Sequence, residues 1–190
     1  MADTKTPNKV NFGLKNAHAA VYDATAGTYA TPFALPGSVS LSLDPRGDMI
    51  EFYADDMLYY SASNNQGYDG SLELSLVTQE FRVNVLGEEL VATDYVLLEQ
   101  QAAQGSPYAL LFEITGDKYA SKNALYNCTA SRPSKSANTK TSSTDPQTES
   151  FDFVASGRES DGYVKAVTTA DTPSTVMDNW YKSVYLKTAA

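Results

Sequence analysis

Histidine and cysteine are almost absent from this sequence of 190 residues, which has one of each. A catalytic triad or a multi-histidine metal site needs more than His18 can supply. Cys128 has no partner for an intrachain disulfide and alternates with apolar neighbours, which predicts a buried, unreactive side chain. No two glycines stand one residue apart, so a dinucleotide-type or kinase-type glycine loop is missing too. We therefore expect no enzyme, no cofactor and no metal site.

Long apolar runs are also missing. No stretch approaches the roughly 20 apolar residues that span a bilayer. The start, Met1–Lys9, is polar and lacks the apolar segment of a signal peptide. We expect assembly in a cytoplasm, no membrane insertion, and a flexible N-terminal arm over residues 1–9. The remaining residues 10–190, in a chain that is 42% hydrophobic, suit a single domain.

Basic residues are scarce, with 14 Lys and Arg against 23 Asp and Glu and a net charge of -9. An acidic chain repels the phosphate backbone, so stable binding of nucleic acid is not expected. Acid pairs such as Asp55-Asp56 and Glu88-Glu89 are typical of solvated turns. Without a pocket signal they do not indicate catalysis.

What the sequence does contain is alternation with a period of two, which is typical of half-buried strands. From Asp55 to Val77 an aromatic run, a polar turn at Asn64–Gly67 and alternating leucines predict a hairpin or a pair of strands. Asp44–Gly47 resembles a turn with proline at its second position. Further strands are predicted at Asn11–Tyr22 (although Ala17–Ala20 could equally suit a helix), Ser38–Leu43, Leu90–Leu98, Tyr108–Thr115, Asn123–Ser131, Thr148–Ala155 and Tyr163–Val167.

Two short helices complete the prediction. Thr78 can cap the first, which Gly87 can end. Thr172 can cap the second, with Pro173 at its first position and a stripe that includes Trp180. Residues 132–148 are rich in Ser, Thr, Lys and Pro and are predicted to form a mobile loop. The fold class is therefore mainly β with one or two short flanking helices.

Four of the predicted strands share an unusual polar face that has no Lys or Arg. It could be the wet face of an ordinary sandwich, or a surface that lets a polyanion such as DNA slide past without phosphate contacts. The four sets are Ser38, Ser40, Ser42 and Asp44; Ser71, Glu73 and Ser75; Asn127, Thr129 and Ser131; and Thr148, Ser150 and Asp152.

Two segments carry opposite charge. Asp44–Asp56 contains five acids and one arginine, whereas Lys118–Lys140 contains five bases and no acid. Such segments are usually solvated surface. They could also meet between identical subunits, where complementary potentials set the register.

Six stretches in order resemble the major tail proteins of long-tailed, non-contractile bacteriophages, over about residues 10–185. They are Val10–Asn16, Leu35–Leu43, Asp55–Glu73, Pro107–Glu113, Leu125–Pro133 and Gln147–Glu149. The resemblance implies a β-sandwich or barrel subunit of the phage tail-tube type. It also implies hexameric rings whose strands line a common inner barrel and which stack into a tube. Such a tube encloses the tape-measure protein, meets tail-tip and tail-terminator proteins, and conducts double-stranded DNA during ejection without binding it specifically.

The resemblance also assigns roles to residues of this chain. Candidates for the lumen are Ser38, Ser40, Ser42, Ser71, Glu73, Ser75, Ser150 and Asp152. Candidates for contacts within or between rings are Asp48, Glu51, Asp55, Asp56, Tyr59, Tyr60, Tyr68, Arg132, Lys135 and Lys140. The main alternative is a monomeric β-sandwich that binds a protein or carbohydrate or decorates a virion, with the three tyrosines as its contact patch. A secretion-system tube subunit would have the same architecture.

Overall fold

The computed structural model describes residues 6–139 and 146–187, and within them the chain forms fourteen strands and two short helices. The helices are α1 (Gln79–Asn84) and α2 (Ser174–Asn179). The strands are β1 (Asn11–Asp23), β2 (Thr28–Tyr29), β3 (Phe33–Ala34), β4 (Ser38–Pro45), β5 (Met49–Ala54), β6 (Met57–Ser63), β7 (Tyr68–Leu74), β8 (Glu89–Val91), β9 (Val96–Leu98), β10 (Tyr108–Gly116), β11 (Ser121–Ala130), β12 (Ser134–Lys135), β13 (Glu149–Ala155) and β14 (Lys165–Val167).

Ten strands form one antiparallel sheet in the order β2-β1-β10-β11-β13-β7-β4. The short strands β3, β14 and β12 pair with β1, β11 and β13 respectively. Strand β11 joins two parts of this sheet, because Asn123–Leu125 pairs with β14 whereas Cys128–Ala130 pairs with β13. Over the part of the chain that the structure describes, the sheet does not close into a barrel. Two hairpins, β5–β6 and β8–β9, form separate two-stranded sheets.

The main core is formed by side chains of β1, β7, β10, β11 and β13 together with those of α1. It includes Leu72, Leu74 and Phe151, all of which are almost fully buried. Burying a side chain of this size contributes roughly 1.5 to 3 kcal/mol. A second, smaller cluster lies where Trp180 and Val184 cover alanines of β1, β10 and β11.

The first helix forms as the sequence predicts. The Thr78 hydroxyl accepts a hydrogen bond from the Phe81 N–H (3.3 Å), and Gly87 follows the helix at a φ of +77°. The second helix differs from its prediction, because Thr172 does not cap it. The Thr172 hydroxyl instead accepts from the N–H of Thr169 (2.9 Å), and the helix ends before Trp180.

Two predicted elements require correction, and one alternative is decided. Leu90–Leu98 is not one strand but the short hairpin β8–β9 around Tyr95, which has a positive φ. Of the two alternatives for Asp55–Val77, a hairpin or a pair of strands, the structure has the pair of strands, because β6 pairs with β5 whereas β7 pairs with β4 and β13. The predicted turn at Asp44–Gly47 begins later, since β4 continues through Pro45 opposite Tyr68.

Ala17–Ala20 is strand, which decides between the two alternatives. Its alanines are buried on both faces of β1, where small side chains let Trp180 and the main core approach the backbone from opposite sides. A bulge interrupts β1 between Lys15 and His18, and Asn16 within it has a φ of +54°.

The described parts of the two segments predicted to be mobile contact the rest of the chain, and their mobility stays a prediction. The Asn8 side chain accepts hydrogen bonds from the N–H groups of Lys118 and Tyr119. Within residues 132–148, β12 pairs with the start of β13. Residues 1–5, 140–145 and 188–190 lie outside the described residues.

Candidate functional site

The predicted polar side chains meet on one face of four adjacent strands. Cross-strand partners share a face, so the register itself aligns them. In one row Ser42 lies opposite Ser71, which lies opposite Asp152. In the next row Ser40 lies opposite Glu73, which lies opposite Ser150. We call the surface formed by these six residues the polar face.

A fourth strand extends the polar face. The Ser131 N–H donates to the Asp152 carbonyl (2.7 Å), and the hydroxyls of Ser134 and Ser150 lie 2.9 Å apart. Thr129 and Ser131 line the same open depression as Ser71 and Asp152. The polar face is therefore a continuous, mostly hydroxyl-lined surface across β4, β7, β13 and the chain from β11 to β12.

The buried side of these strands explains why the polar side chains point outward. Leu72 and Leu74 alternate with Ser71 and Glu73 and are buried in the main core, and Phe151 and Phe153 do the same on β13. Gly70 makes room for this packing, because a Cβ there would overlap the ring of Phe153. The core thus fixes which side chains β7 and β13 present on the outer side.

Glu73 is the best-defined carboxylate of the polar face. The Thr148 hydroxyl donates to one of its oxygens (2.6 Å) and the Ser40 hydroxyl donates to the other (2.7 Å). These two hydrogen bonds, that from Thr148 first, hold the pKa of Glu73 below its ordinary value. The two hydroxyls therefore favour the ionised form of Glu73.

Three predicted members of the polar strands lie apart from it. A bulge in β4 places Ser38 opposite Leu74, and its hydroxyl donates to the Leu35 carbonyl (3.4 Å). Ser75 follows the last residue of β7, where its N–H donates to the Gly37 carbonyl. Asn127 has a φ of +44° and its side chain binds Ser156 and Gly157. These departures follow from irregular backbone that strict alternation does not foresee.

Acidic side chains surround the polar face, and the basic side chains at its ends form ion pairs with carboxylates of the same chain. Asp44 lies opposite Asp69, whose carboxylate binds Arg46 (3.4 Å). Lys135 binds the buried carboxylate of Glu149 (3.4 Å) at the other end. Lys135, predicted as an intersubunit residue, therefore has a partner within its own chain.

A second surface is the β5–β6 hairpin. Tyr59 and Tyr60, two of its predicted contact residues, are 71% and 57% exposed. Asp55 and Asp56 form its two-residue turn with φ values of 52° and 58°, which are those of a type I′ turn. Glu51 accepts a hydrogen bond from the Tyr53 hydroxyl (3.0 Å).

Other intersubunit candidates lie elsewhere. Tyr68 is half-buried on the main core, and its hydroxyl accepts a hydrogen bond from Lys165 (3.0 Å), whereas Tyr59 and Tyr60 are exposed. Arg132 binds Glu99 of its own chain (2.8 Å). Asp48 is exposed next to the hairpin, and Lys140 lies outside the described residues.

His18 and Cys128 are both packed against other side chains of the chain. The His18 ring stacks on Tyr181 with centroids 4.5 Å apart, and its Nδ1 lies 2.9 Å from the Asn16 carbonyl. Burial raises the pKa of the Cys128 thiol to about 12, so the thiolate is scarce at neutral pH. In the described ranges no cluster of acids, His or Cys could hold a metal ion, and no helix there has the length and apolar character to cross a membrane.

Sequence reasoning missed a buried ionic network at one end of β13. Glu149, only 4% exposed, accepts hydrogen bonds from the Val77 N–H (2.9 Å) and from Arg82 (3.2 Å). Arg82 also binds Glu88 (3.1 Å). Alternation was the available signal, because it places Glu149 on the same face as Phe151 and Phe153.

Comparison with solved structures identifies related folds. The chain resembles the anti-feeding prophage cap, a tube-terminating cap, with 14% identity, a TM-score of 0.50, and coverage of 90% of this chain and 100% of the cap. Two further similar structures come from an extracellular contractile injection system, PVC, in its extended state. They are a chain of the sheath–tube complex (TM-score 0.49, 13% identity, 85% and 94% coverage) and a sheath/tube terminator (0.48, 14%, 87% and 99%).

The structure and its likeness to the tube-terminating cap confirm the predicted fold class, a mainly β chain with two short helices and a fold of the tail-tube and terminator type. None of the three structures is a major tail protein of a non-contractile phage, so that part of the resemblance stays a prediction. No family model matches the sequence, and no curated protein matches it.

Proposed function

We propose that the protein is a structural subunit that assembles into rings and a tail tube, with the polar face toward the lumen. The observation that carries the proposal is the polar face itself, six small or acidic residues in register on adjacent strands. Short hydroxyl side chains leave a lumen open, and carboxylates repel a polyanion. Of the lumen candidates, Ser38 and Ser75 lie apart from the polar face.

The edges of these four strands support ring formation. Strand β4 pairs with β7 on one side and ends the sheet on the other. Across the sheet, Cys128 still pairs with Tyr108 of β10, but the chain from Thr129 to Lys135 after it borders β13 and contains Pro133, a residue suited to an edge. An open edge is an aggregation hazard unless it is covered or paired. Pairing of β4 with the opposite edge of a neighbouring copy would close the sheet around a ring.

The finer assignments belong to the same proposal. Rings of six copies, enclosure of the tape-measure protein, contacts with tail-tip and terminator proteins, and passage of double-stranded DNA are what the phage resemblance implies. The location would be the tail of a virion or a phage-like particle. Similarity to a tube-terminating cap adds a second form, in which one ring ends a tube instead of repeating along it.

A concentration series by light scattering and negative-stain microscopy tests the proposal. We expect rings with a central hole, and stacked tubes if the chain is a repeating subunit. Single rings that never stack would indicate the terminating form. A chain that stays monomeric at every concentration, also after addition of a tail-tip complex, would contradict the proposal.

Cysteine labelling tests the orientation of the polar face. Ser71→Cys should react with a bulky maleimide in the monomer and be protected in tubes, because the reagent can enter a lumen only from its ends. Ser160→Cys, the same change in an exposed turn of the described chain, should react in both states if that turn faces outward. Equal labelling of Ser71→Cys in monomers and tubes would place the polar face on the outside.

A monomeric binding module is the second candidate, favoured by the exposed aromatic side chains of the β5–β6 hairpin. It predicts a stable monomer that loses binding to its ligand when Tyr59 and Tyr60 are changed to Ser. The concentration series separates the two candidates, because only the tube subunit should lose self-association in that variant.

A further inference from the structure

The β5–β6 hairpin exposes more apolar surface than a solvated element needs. It hydrogen-bonds to no other strand of the described chain. An isolated two-stranded hairpin is only marginally stable in water, and clustered exposed apolar residues mark interaction sites. Eight large side chains are between 49% and 71% exposed: Met49, Ile50, Phe52, Tyr53, Met57, Leu58, Tyr59 and Tyr60.

The charge of this hairpin restricts its partner. From Gly47 to Phe81 the sequence has no Lys or Arg. Asp48, Glu51, Asp55 and Asp56 are exposed, and none has an ion-pair partner among residues 6–139 and 146–187. We call β5–β6 with these four acids the acidic hairpin. A fitting partner combines exposed apolar side chains with cations that are not already paired.

Most basic side chains of the described chain are engaged within it. Two are not: the ammonium groups of Lys9 and Lys118 have no side-chain partner among the described residues. The engaged ones bind carboxylates, a carbonyl, an amide or tyrosine hydroxyls, and they are Lys15, Arg46, Arg82, Lys122, Arg132, Lys135, Arg158, Lys165, Lys182 and Lys187.

The backbones of Lys9 and Lys118 lie close together. Asn8 accepts a hydrogen bond from the Lys118 N–H (3.1 Å), and the Lys9 N–H donates to the Asp117 carboxylate (2.8 Å). Beside them Val10 and Phe12 are 57% and 56% exposed. We call Lys9, Val10, Phe12 and Lys118 the β1 patch. It combines cations that have no side-chain partner in the described chain with apolar side chains, and the acid Asp117 lies next to it.

Other exposed apolar regions fit less well. The β8–β9 hairpin exposes Tyr95 (81%) but carries Glu89 and Asp94, which would repel the acidic hairpin. Tyr163 and Tyr185 are 42% and 41% exposed beside other lysines. There Lys187 is hydrogen-bonded to the Tyr163 hydroxyl (3.1 Å), and Lys165 is held by Tyr68.

We propose that the acidic hairpin of one copy docks on the β1 patch of a second copy. Because the two surfaces differ, each copy offers one of each, and the contact can repeat from subunit to subunit. Aromatic side chains would meet Val10 and Phe12, and the acids would meet Lys9 and Lys118. This contact rests on the proposed self-assembly and names the surfaces that would carry it.

Charge exchange tests the contact in the full chain. Asp55→Asn with Asp56→Gly removes the charge and suits a type I′ turn, so it keeps the hairpin. Asp55→Lys with Asp56→Gly reverses the charge of the hairpin turn. Lys9→Glu with Lys118→Glu reverses the charge of the β1 patch. We expect each reversal to raise the concentration needed for assembly about tenfold or more, and to change its salt dependence. The neutral variant should fall between reversal and wild type.

Mixing the two reversed variants should restore assembly, since each supplies the complement of the other. Lys165→Glu with Lys187→Glu is the matched control and should assemble like wild type. Wild-type assembly of both reversed variants would overturn this contact and leave the tube proposal standing, as would loss of assembly in the control together with normal assembly of Lys9→Glu/Lys118→Glu. A wild-type chain that never self-associates would overturn the proposed function itself.

Discussion

The strands of the polar face bury their apolar side chains, whereas the β5–β6 hairpin exposes them. On β7 and β13 every second residue points into the core, with Leu72, Leu74, Phe151 and Phe153 as its large side chains, and the outward residues are mainly hydroxyls and acids. On β5 and β6 the aromatic residues are exposed, although the sequence is at least as apolar. The first region is explained by its own core. The second has no such core among the described residues, and the proposed contact with a second copy would cover it.

A matched pair of phenylalanine truncations gives the largest contrast. Phe151→Ala should lower the free energy of unfolding by about 3 to 5 kcal/mol, because its ring is 2% exposed in the main core. Phe52→Ala, at 58% exposure, should change it by less than about 0.5 kcal/mol. Urea unfolding followed by the fluorescence of Trp180 measures both. Equal losses would show that the hairpin is part of the folding unit.

Breaking the buried ionic network at one end of β13 should give the next largest loss of stability. Arg82→Met leaves Glu149 and Glu88 without their shared cation and should cost about 3 kcal/mol. Burial alone would raise the pKa of Glu149, but the Val77 N–H, Arg82 and Lys135 outweigh it and lower the pKa.

A carboxyl whose pKa falls on folding stabilises the fold above its unfolded pKa, and this stabilisation is lost as pH falls through the folded pKa. The wild type should therefore lose stability in acid more steeply than Arg82→Met. Parallel urea titrations at falling pH check this. Parallel pH curves would show that Arg82 does not set the ionisation of Glu149.

Gly70→Ala should have a smaller effect on the same sheet. The new Cβ would overlap the Phe153 ring, which must shift within a packed core, at about 1 to 3 kcal/mol. Ser71→Ala is the control, since it removes a hydroxyl from the outward side and should stay within about 0.5 kcal/mol. Unfolding curves of the two variants would agree only if Phe153 can move freely.

The smallest expected effect is a change in the pKa of Glu73. Thr148→Val should raise the pKa of Glu73 toward its ordinary value, and Ser40→Ala should do so to a lesser degree. Carboxyl chemical shifts of Glu73 followed by NMR during acid titration measure this directly. Ser42→Ala, in the neighbouring row of the polar face, should leave the titration of Glu73 unchanged. A similar shift in all three variants would point to a general field effect.

Alternation predicted the polar face because one side of those strands is covered by a core. Period-two patterns report that coverage directly, and they placed Ser42, Ser71 and Asp152 together before any register was known. The pattern failed at Ser38 and Asn127, where a bulge and a positive φ break the strict alternation.

Strand pairing was less predictable than strand existence. The chain near Asn64–Gly67 has the composition of a hairpin turn, yet β6 turns back on β5 through Asp55 and Asp56. An Asp-Asp turn is a weaker hairpin signal than Asn-Gly, so the local sequence did not reveal the pairing of β5 with β6. The ion pairs of Lys135 and Arg132 join residues 14 to 33 positions apart, which no local pattern reveals.

The buried thiol of Cys128 has a practical consequence. Its neighbours in the main core exclude solvent, and its pKa of about 12 keeps it protonated. A maleimide or a fluorescent label added to the folded protein should therefore leave the natural chain unmodified. Cysteines placed on any surface can then report position, distance or shielding one at a time, without first removing a native residue from the core.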